Sequence, residues 1–493
     1  MYIREFRVRG SKQLTAGEVG EIVYPYLGPG RLPDDVDHAR AALEKAYHEK
    51  GYQAVSVQIP TQQIKRGVVI LEVSENRVGR LRVKGGRYTS ATALTAMAPS
   101  MREGSIVDFN RVQREVIAMN QLAGRQVTPA LRPGFEPGTV DIDLNVKDEL
   151  PLHGSLELNN RHSQNTTELR LNGALSYDNL WQMGHALGTS FQIAPENLKD
   201  ALVYSGYYIA PLPATDGLSL MLQGTKQDSN VSTLGGLAVA GRGEVLGMRL
   251  LKTLPPGKGF YQTFSFGFDY KHFDENLTAS SSVVTTPITY YPFSALYTGT
   301  WKNEKSTTQF NGGVTFHFRG MGSSPAEFDN KRSGADGSFI YFRGDLSQTR
   351  ELPGGLQGFV KLQGQASNQP LVNSEQIAGG GLGNVRGYLE SEALGDDGVF
   401  ATLELRSPSL LGKRTDDQDD WRFYAFAEGG LLDMQKPLPG QDSGSTLASV
   451  GLGTRGRFFN HFNGSLDAGL PVVRRDSGLP LSMSYTLRVW GDF

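Results

Sequence analysis

The ten residues Gly379-Gly380-Gly381-Leu382-Gly383-Asn384-Val385-Arg386-Gly387-Tyr388 place one cation, Arg386, near the end of a glycine-rich stretch. Glycine lets a backbone bend and pass close to a neighbouring surface, so such a stretch can carry a charged tip into a confined place. Further along stands Phe426-Ala427-Glu428-Gly429-Gly430. If that segment is extended, Phe426, Glu428 and Gly430 share one face, and Ala425, Ala427 and Gly429 share the other. A guanidinium is a planar fork that matches a carboxylate with two parallel hydrogen bonds. The chemistry open to Arg386 and Glu428 is therefore a non-covalent catch. Over 399–406, Glu404 and Arg406 form a polar face against Leu403 and Leu405. Taken alone, the glycine-rich stretch equally fits a mobile surface connection with an incidental arginine.

Other chemistries find little support. Cysteine is absent, which excludes thiolate metal sites, disulfides and a cysteine nucleophile. No G-x-S-x-G, H-E-x-x-H or G-x-x-x-x-G-K-S/T segment occurs, which removes the commonest hydrolase and nucleotide signatures. Gly451-Leu452-Gly453-Thr454-Arg455-Gly456 has dinucleotide-motif spacing, but that motif needs a following helix, and Phe458-Phe459 continue a strand-like texture. The eight histidines form no close ligand pair, and His317 and His461 read as wall or loop residues. Lys and Arg total 49 against 51 Asp and Glu, a net charge of −2. Lys413-Arg414 is balanced at once by Asp416, Asp417, Asp419 and Asp420. A nucleic-acid binder would show a strongly basic domain. The reading is a protein that is not an enzyme, with no catalytic residue, metal, cofactor or nucleic-acid partner.

The elements that must position the catch come in two textures. Phe6-Arg7-Val8-Arg9-Gly10 recurs 75 residues on as Leu81-Arg82-Val83-Lys84-Gly85. After the first copy, Thr15-x-x-Glu18 is a capping-box signal for a helix through Val19, Ile22 and Val23. A second helix starts at Asp34/Asp35, carries Val36, Ala39, Leu43 and Ala46/Tyr47, and stops at Gly51. Strands follow at 55–59 and 68–73. In the second copy Asp108 starts a helix with Val112, Val116, Met119 and Leu122 that ends at Gly124, and strands follow at 127–131 and 140–146. Each unit reads β-α-α-β-β. The alternation from Val140 to Val146 predicts one apolar sheet face and one wet face.

Past Glu149 helical periodicity disappears. Sixteen short alternating runs follow, the last at 482–489. Leu481, Met483, Tyr485, Leu487, Val489, Gly491 and Phe493 share one face there, and Ser482, Ser484, Thr486, Arg488, Trp490 and Asp492 the other. One face suits lipid and the other a polar lumen. A soluble sandwich would alternate too, but with a packed inner face and exposed edges. Gly, at 60 of 493 residues, exceeds its usual ~7% and argues against a mostly helical chain. No run approaches the ~18 apolar residues of a membrane helix, a test that does not reach β-barrels.

On the repeat, the ladder, the Val385-Arg386-Gly387-Tyr388 run and the Phe426-x-Glu428-x-Gly430 segment, the chain resembles the outer-membrane transporters of two-partner secretion (TpsB; ShlB/FhaC/HecB type), within the barrel-assembly superfamily. The resemblance covers essentially the whole chain. It implies two POTRA domains at 1–75 and 76–148, then a 16-stranded transmembrane barrel at 149–493, with a loop at about 366–397 between strands 11 and 12 that folds into the lumen. It implies that Arg386 pairs with the acid of strand 13, where Glu428 stands in place of the family's usual Asp. A lumen is at least partly hydrated, so the pair is expected to be wet. Phe493, an aromatic at the last position, matches a barrel-assembly signal. The implied place is the bacterial outer membrane with the POTRA domains in the periplasm. The implied partners are a secreted TpsA-type protein (haemolysin, adhesin or toxin), lipid and the barrel assembly machinery, with the transporter itself a monomer. The rival readings are a barrel assembly factor and a passive porin. Family members also begin with a leader and a plug helix, whereas Met1-Tyr2-Ile3-Arg4-Glu5 opens directly on the first strand.

Overall fold

The computed structural model describes residues 1–64, 66–120, 124–212, 217–232, 239–255, 257–279, 282–411, 419–473 and 482–493. Leu122, Leu481 and the charged residues Lys413, Arg414, Asp416 and Asp417 lie outside the described residues. The chain divides into two compact units, one of Met1–Pro151 with Trp181–Met183 and one of the remainder.

The first unit holds two copies of one motif. In the first copy β1 (Glu5–Arg9) pairs parallel with β3 (Val68–Glu75), and β2 (Val55–Gln58) pairs antiparallel with β3. Between them lie α1 (Ala16–Val23) and α2 (Pro33–Glu49). Thr15 and Glu18 form the expected capping box at α1. Val36, Ala39, Leu43 and Tyr47 of α2 are buried in one apolar cluster with Val69 and Leu71 of β3. The second copy repeats this order with β4 (Arg77–Lys84), α3 (Ala91–Ala96), α4 (Phe109–Met119), β5 (Arg125–Pro133) and β6 (Thr139–Asp148). Asp108 caps α4, accepting from the N–H groups of Asn110 and Arg111. α3 has only six residues, too short to show helical periodicity. The repeated glycine is required in both copies: Gly10 and Gly85 have φ of 85° and 87°. A Cβ on either would lie 2.2 or 2.6 Å from the carbonyl oxygen of Val73 or Val146.

The sheet face expected to be wet is closed over. Asp143 on β6 is 0% exposed. Arg82 Nε, Lys84 Nζ and Arg132 Nε lie 3.0, 2.7 and 3.2 Å from its carboxylate. Three long basic side chains from the flanking strands lay their stems across the face, which alternation alone does not reveal.

The second unit is a closed antiparallel barrel of sixteen strands. They are Leu152–Asn159, Arg170–Leu180, His185–Ile193, Ala201–Pro211, Leu218–Ser232, Val239–Thr253 and Phe260–Ala279 as strands 1 to 7. The eighth is in two segments, Ser282–Tyr290 and Phe293–Lys302. Strands 9 to 16 are Ser306–His317, Phe339–Glu351, Gln357–Ser367, Asp397–Arg406, Asp420–Asp433, Gly444–Phe458, Phe462–Pro471 and Ser484–Asp492. Alternation in the sequence marks a single run at 290–301 here, but two segments pair with strand 7 across a break at Tyr291-Pro292, because proline cannot donate to the ladder. Strand 16 closes on strand 1. Outward positions are apolar and exposed, among them Leu403, Leu405, Phe423, Leu431, Leu452 at 67%, Tyr485, Leu487 and Val489. A contiguous exposed apolar belt of this kind belongs in lipid. Gly451–Gly456 lies within strand 14 and has no following helix.

Candidate functional site

Residues 368–396 join strands 11 and 12 and fold into the barrel. Their root is a short antiparallel ladder of Ile377–Gly379 with Ala393–Gly395. The tip turns through Gly380 and Gly381, at φ of 100° and 81°. Asn384 braces it, accepting from the Gly380 N–H at 2.8 Å and donating to the Ala378 carbonyl at 2.7 Å.

Arg386 is 5% and Glu428 7% exposed, so the contact is dry where a wet pair was expected. The loop itself displaces the water. Arg386 donates to Glu428 Oε1 from Nε at 3.0 Å and from Nη2 at 2.7 Å, and its backbone N–H donates to Oε2 at 2.6 Å. The contact is also larger than a pair. Nη2 donates to Glu404 at 2.9 Å and Nη1 to Asp467 at 2.9 Å. Glu404 accepts from Arg406 Nε at 2.6 Å, and Asp467 from Tyr424 Oη at 2.8 Å. Strands 12, 13 and 15 thus each send one carboxylate to a single guanidinium. The sequence shows Glu404 on a polar face but not as a partner of Arg386, and it does not single out Asp467. The one signal it offers is the phase of Asp467 within its strand.

The neighbouring site residues shape the seat. The Arg386 guanidinium lies 3.6 Å from the Phe426 ring centroid, a cation–π contact strengthened by desolvation. Gly387 has φ of 95°, and a Cβ there would lie 3.1 Å from the Gly469 backbone of strand 15. Val385 is fully buried with Ile377, Tyr388, Phe400, Leu432 and Leu447. The Tyr388 hydroxyl donates to the Val473 carbonyl at 2.9 Å and accepts from the Ala448 N–H at 3.2 Å. Gly430 leaves room for the Phe400 ring, which a Cβ would meet at 2.1 Å. On the other side of the tip, Glu390 accepts from Arg161 Nε at 2.7 Å.

The root is held by a second set of buried charges that sequence gives no hint of. Glu375 accepts from Lys271 Nζ, Tyr290 Oη and Tyr341 Oη. Asp396 accepts from Arg332 Nη2, Gln376 Nε2 and the N–H groups of Leu371 and Gln435. Arg332 follows α5 (Pro325–Lys331) in the loop between strands 9 and 10, so three loops meet on Asp396.

Phe493 sits where the barrel closes. Its N–H donates to the Gly154 carbonyl at 3.0 Å, and the Gly154 N–H donates back at 3.1 Å. Its ring covers the space a Gly154 side chain would need. His317 is buried, its ring nitrogens 2.6 and 2.7 Å from the Gly337 and Met321 carbonyls. Among the described residues no group of His, Asp and Glu is arranged to hold a metal ion.

A sixteen-stranded barrel with an apolar belt, preceded by two β-α-α-β-β units and holding an inward-folded loop, defines an outer-membrane barrel protein with periplasmic POTRA domains. The chain belongs to the family described as haemolysin secretion/activation protein ShlB/FhaC/HecB, whose model matches residues 138–456. The model of the ShlB-type POTRA domain matches 1–76. Among curated proteins, the outer membrane transporter CdiB of Escherichia coli is 24% identical over 98% of this chain and 81% of its own length. The heme/hemopexin transporter protein HuxB of Haemophilus influenzae is 19% identical over 81% of this chain and 70% of its own. Among solved structures, Escherichia coli CdiB superposes with a TM-score of 0.67 at 21% identity, over 100% of this chain and 90% of that one. BamA from Haemophilus ducreyi lacking POTRA domains 1–3 gives 0.60 at 14%, over the whole of both chains. The protein is thus an outer-membrane protein of two-partner secretion.

Proposed function

We propose that the chain captures an unfolded TpsA-type partner on its POTRA domains and conducts it outward through the barrel. The observation that carries this reading is the loop seated in the lumen on one arginine shared by three wall carboxylates. A passive pore has no use for a plug fixed by buried charge, whereas a translocase needs one that holds at rest and can be displaced as a unit. Capture by strand addition suits the POTRA sheets: among the described residues β1, β2 and β5 pair with a strand on one side only, β4 is bridged on its second side only at its start, and an open edge accepts an extended segment. With no nucleotide motif in the sequence, folding of the partner outside supplies the driving force. The domains divide the work at 1–75, 76–148 and 149–493, and Phe493 addresses the barrel to the assembly machinery that places it in lipid.

The test is co-expression with the native secreted partner, scoring partner in the medium per folded barrel in the outer membrane. Arg386→Ala should abolish most export at unchanged barrel levels. Full export refutes the role of the loop. Loss of other outer-membrane barrels on depletion of this protein would mark an assembly factor, and small-solute uptake without export would mark a porin.

A further inference from the structure

We propose that the lumen carries an anion-binding vestibule shaped for a short, carboxylate-bearing stretch of extended polypeptide, a proposal that rests on the export reading. A cavity of about 340 Å³ opens where strands 12 and 13, and strands 14 and 15, turn back. This is the barrel end at which strand 1 starts and Phe493 finishes, the periplasmic end. Its lining includes Arg406, Arg422, Arg455 and Arg457 with Tyr424 and Trp490, and the acid among its lining residues is Asp420.

The charges are not mutually satisfied. Arg406 is engaged by Glu404, Arg422 by Asp420 at 2.8 Å, and Arg457 by the Asn460 carbonyl at 2.7 Å and Asp492 at 3.8 Å. Arg455 is exposed to the cavity, and among the described residues its guanidinium meets only the Tyr424 ring, 5.7 Å away. Arg422 and Arg455 stand directly opposite in the strand 13–14 register. Like charges directly opposite on one sheet face destabilise it. An anion settling between the two forks relieves that repulsion and gives Arg455 the partner it lacks.

A carboxylate matches a guanidinium fork in plane and spacing. A phosphate matches it too, but the lining favours a polypeptide: Trp490 is half-buried in the cavity wall, and its indole gives an extended chain an apolar surface beside the forks. The volume is at the small end of ligand cavities, room for a short extended stretch and not for a folded element. The vestibule also adjoins the catch, because Arg406 and Tyr424 touch both.

The experiment uses the full chain in detergent micelles and a short fluorescein-labelled peptide alternating Asp and Ser, read by anisotropy. Arg455→Gln should weaken binding by roughly five- to tenfold, the loss of one charge-assisted contact in a wet site. Lys305→Gln makes the same charge change at an exposed turn residue and should leave binding unchanged. An Asn-for-Asp peptide that binds as well, or binding indifferent to Arg455→Gln, overturns the proposal. Inorganic phosphate that binds as tightly as the peptide overturns the polypeptide preference. Failure of the export reading is separable. A wild-type barrel that exports nothing yet binds the peptide through Arg455 refutes export and keeps the anion site, whereas normal export by Arg455→Gln refutes the vestibule's part in transit alone.

Discussion

Arg386→Ala is the sharpest perturbation of the catch, because it takes the shared cation from three acids at once and leaves Glu428 and Asp467 with none. Glu404, Glu428 and Asp467 are all buried, and Arg406 alone among the two arginines would remain, bound to Glu404. Breaking a buried ion pair by removing one partner typically costs about 3–5 kcal/mol. At about 1.4 kcal/mol per factor of ten, that shifts the balance between seated and released loop by roughly a hundred- to several-thousand-fold. The wall ladder closes without any strand of the loop, so the strain is expected to be relieved by letting the tip go and the carboxylates hydrate. The expected result is a normal heat-modifiable barrel with large, frequent conductance steps in a planar bilayer and a loop open to proteinase K. Glu428→Gln should be milder, since Arg386 keeps Glu404 and Asp467; the loss is that of one charge-assisted contact, about 1.5–3 kcal/mol. Removing both should be less severe than Arg386→Ala alone, because one stranded acid goes too. A wild-type conductance and protease pattern for Arg386→Ala, or a Glu428→Gln variant more open than Arg386→Ala, would refute the reasoning.

Gly387→Ala should lift the tip without touching any charge, because φ of 95° and the Gly469 backbone both oppose a Cβ; a destabilisation above ~1 kcal/mol should appear as intermittent channel opening, and a silent variant would sink the close-approach argument. A chain starting at Glu149 should still give a heat-modifiable barrel but export nothing, and normal partner levels in the medium would exclude capture by the POTRA domains. Deleting Phe493 should lower barrel abundance in the outer membrane and not activity per folded molecule, since the residue carries two closing hydrogen bonds; unchanged abundance would count against an assembly role. The Lys50 ammonium and the Thr15 cap hold Glu18 down at about 2, and the hydrogen bond from Lys84 holds Asp143 below the usual carboxylate range despite burial. Both folded values lie below the unfolded ones, so this stability is present above the usual carboxylate pKa and lost as pH falls toward the folded values. The helical circular dichroism of the full chain, which comes mainly from α1–α4, should therefore fade on acidification before the strand signal does, and an acid-insensitive helical signal would contradict it.

The sequence carried what depends on period and on single special residues. Thr15 and Glu18 announced α1, Gly10 and Gly85 marked equivalent turns, and alternation through strand 16 separated the lipid from the lumen face. It could not carry what depends on where strands lie in a closed barrel. Asp467 looks like any lumen-facing acid until the loop folds in and its arginine spans strands 12, 13 and 15 together. Glu375, Lys271, Tyr290 and Tyr341 come from far-apart segments, and no local spacing ties them together. The dryness of Arg386 is not legible for a related reason: hydration of a lumen depends on what fills it, and here the filler is the loop that carries Arg386. The cover over Asp143 escaped because stem packing by Arg82, Lys84 and Arg132 leaves no periodic trace.

The barrel shuts where Asn159 meets Arg488 and Ser155 meets Asp492, and the Arg488–Glu157 ion pair there spans 331 positions of chain. The other wall pairings join neighbours in sequence, so a growing sheet can zip hairpin by hairpin. The closing pairing must wait for the final residues. The entropy of so long a closure is modest, since each doubling of loop length adds only ~0.6 kcal/mol, but in time it comes last. Until then the sheet has two raw edges able to join any strand they meet. A chain cut before Arg488 loses every closing pair. Without that pairing the wall keeps two edges and encloses no lumen.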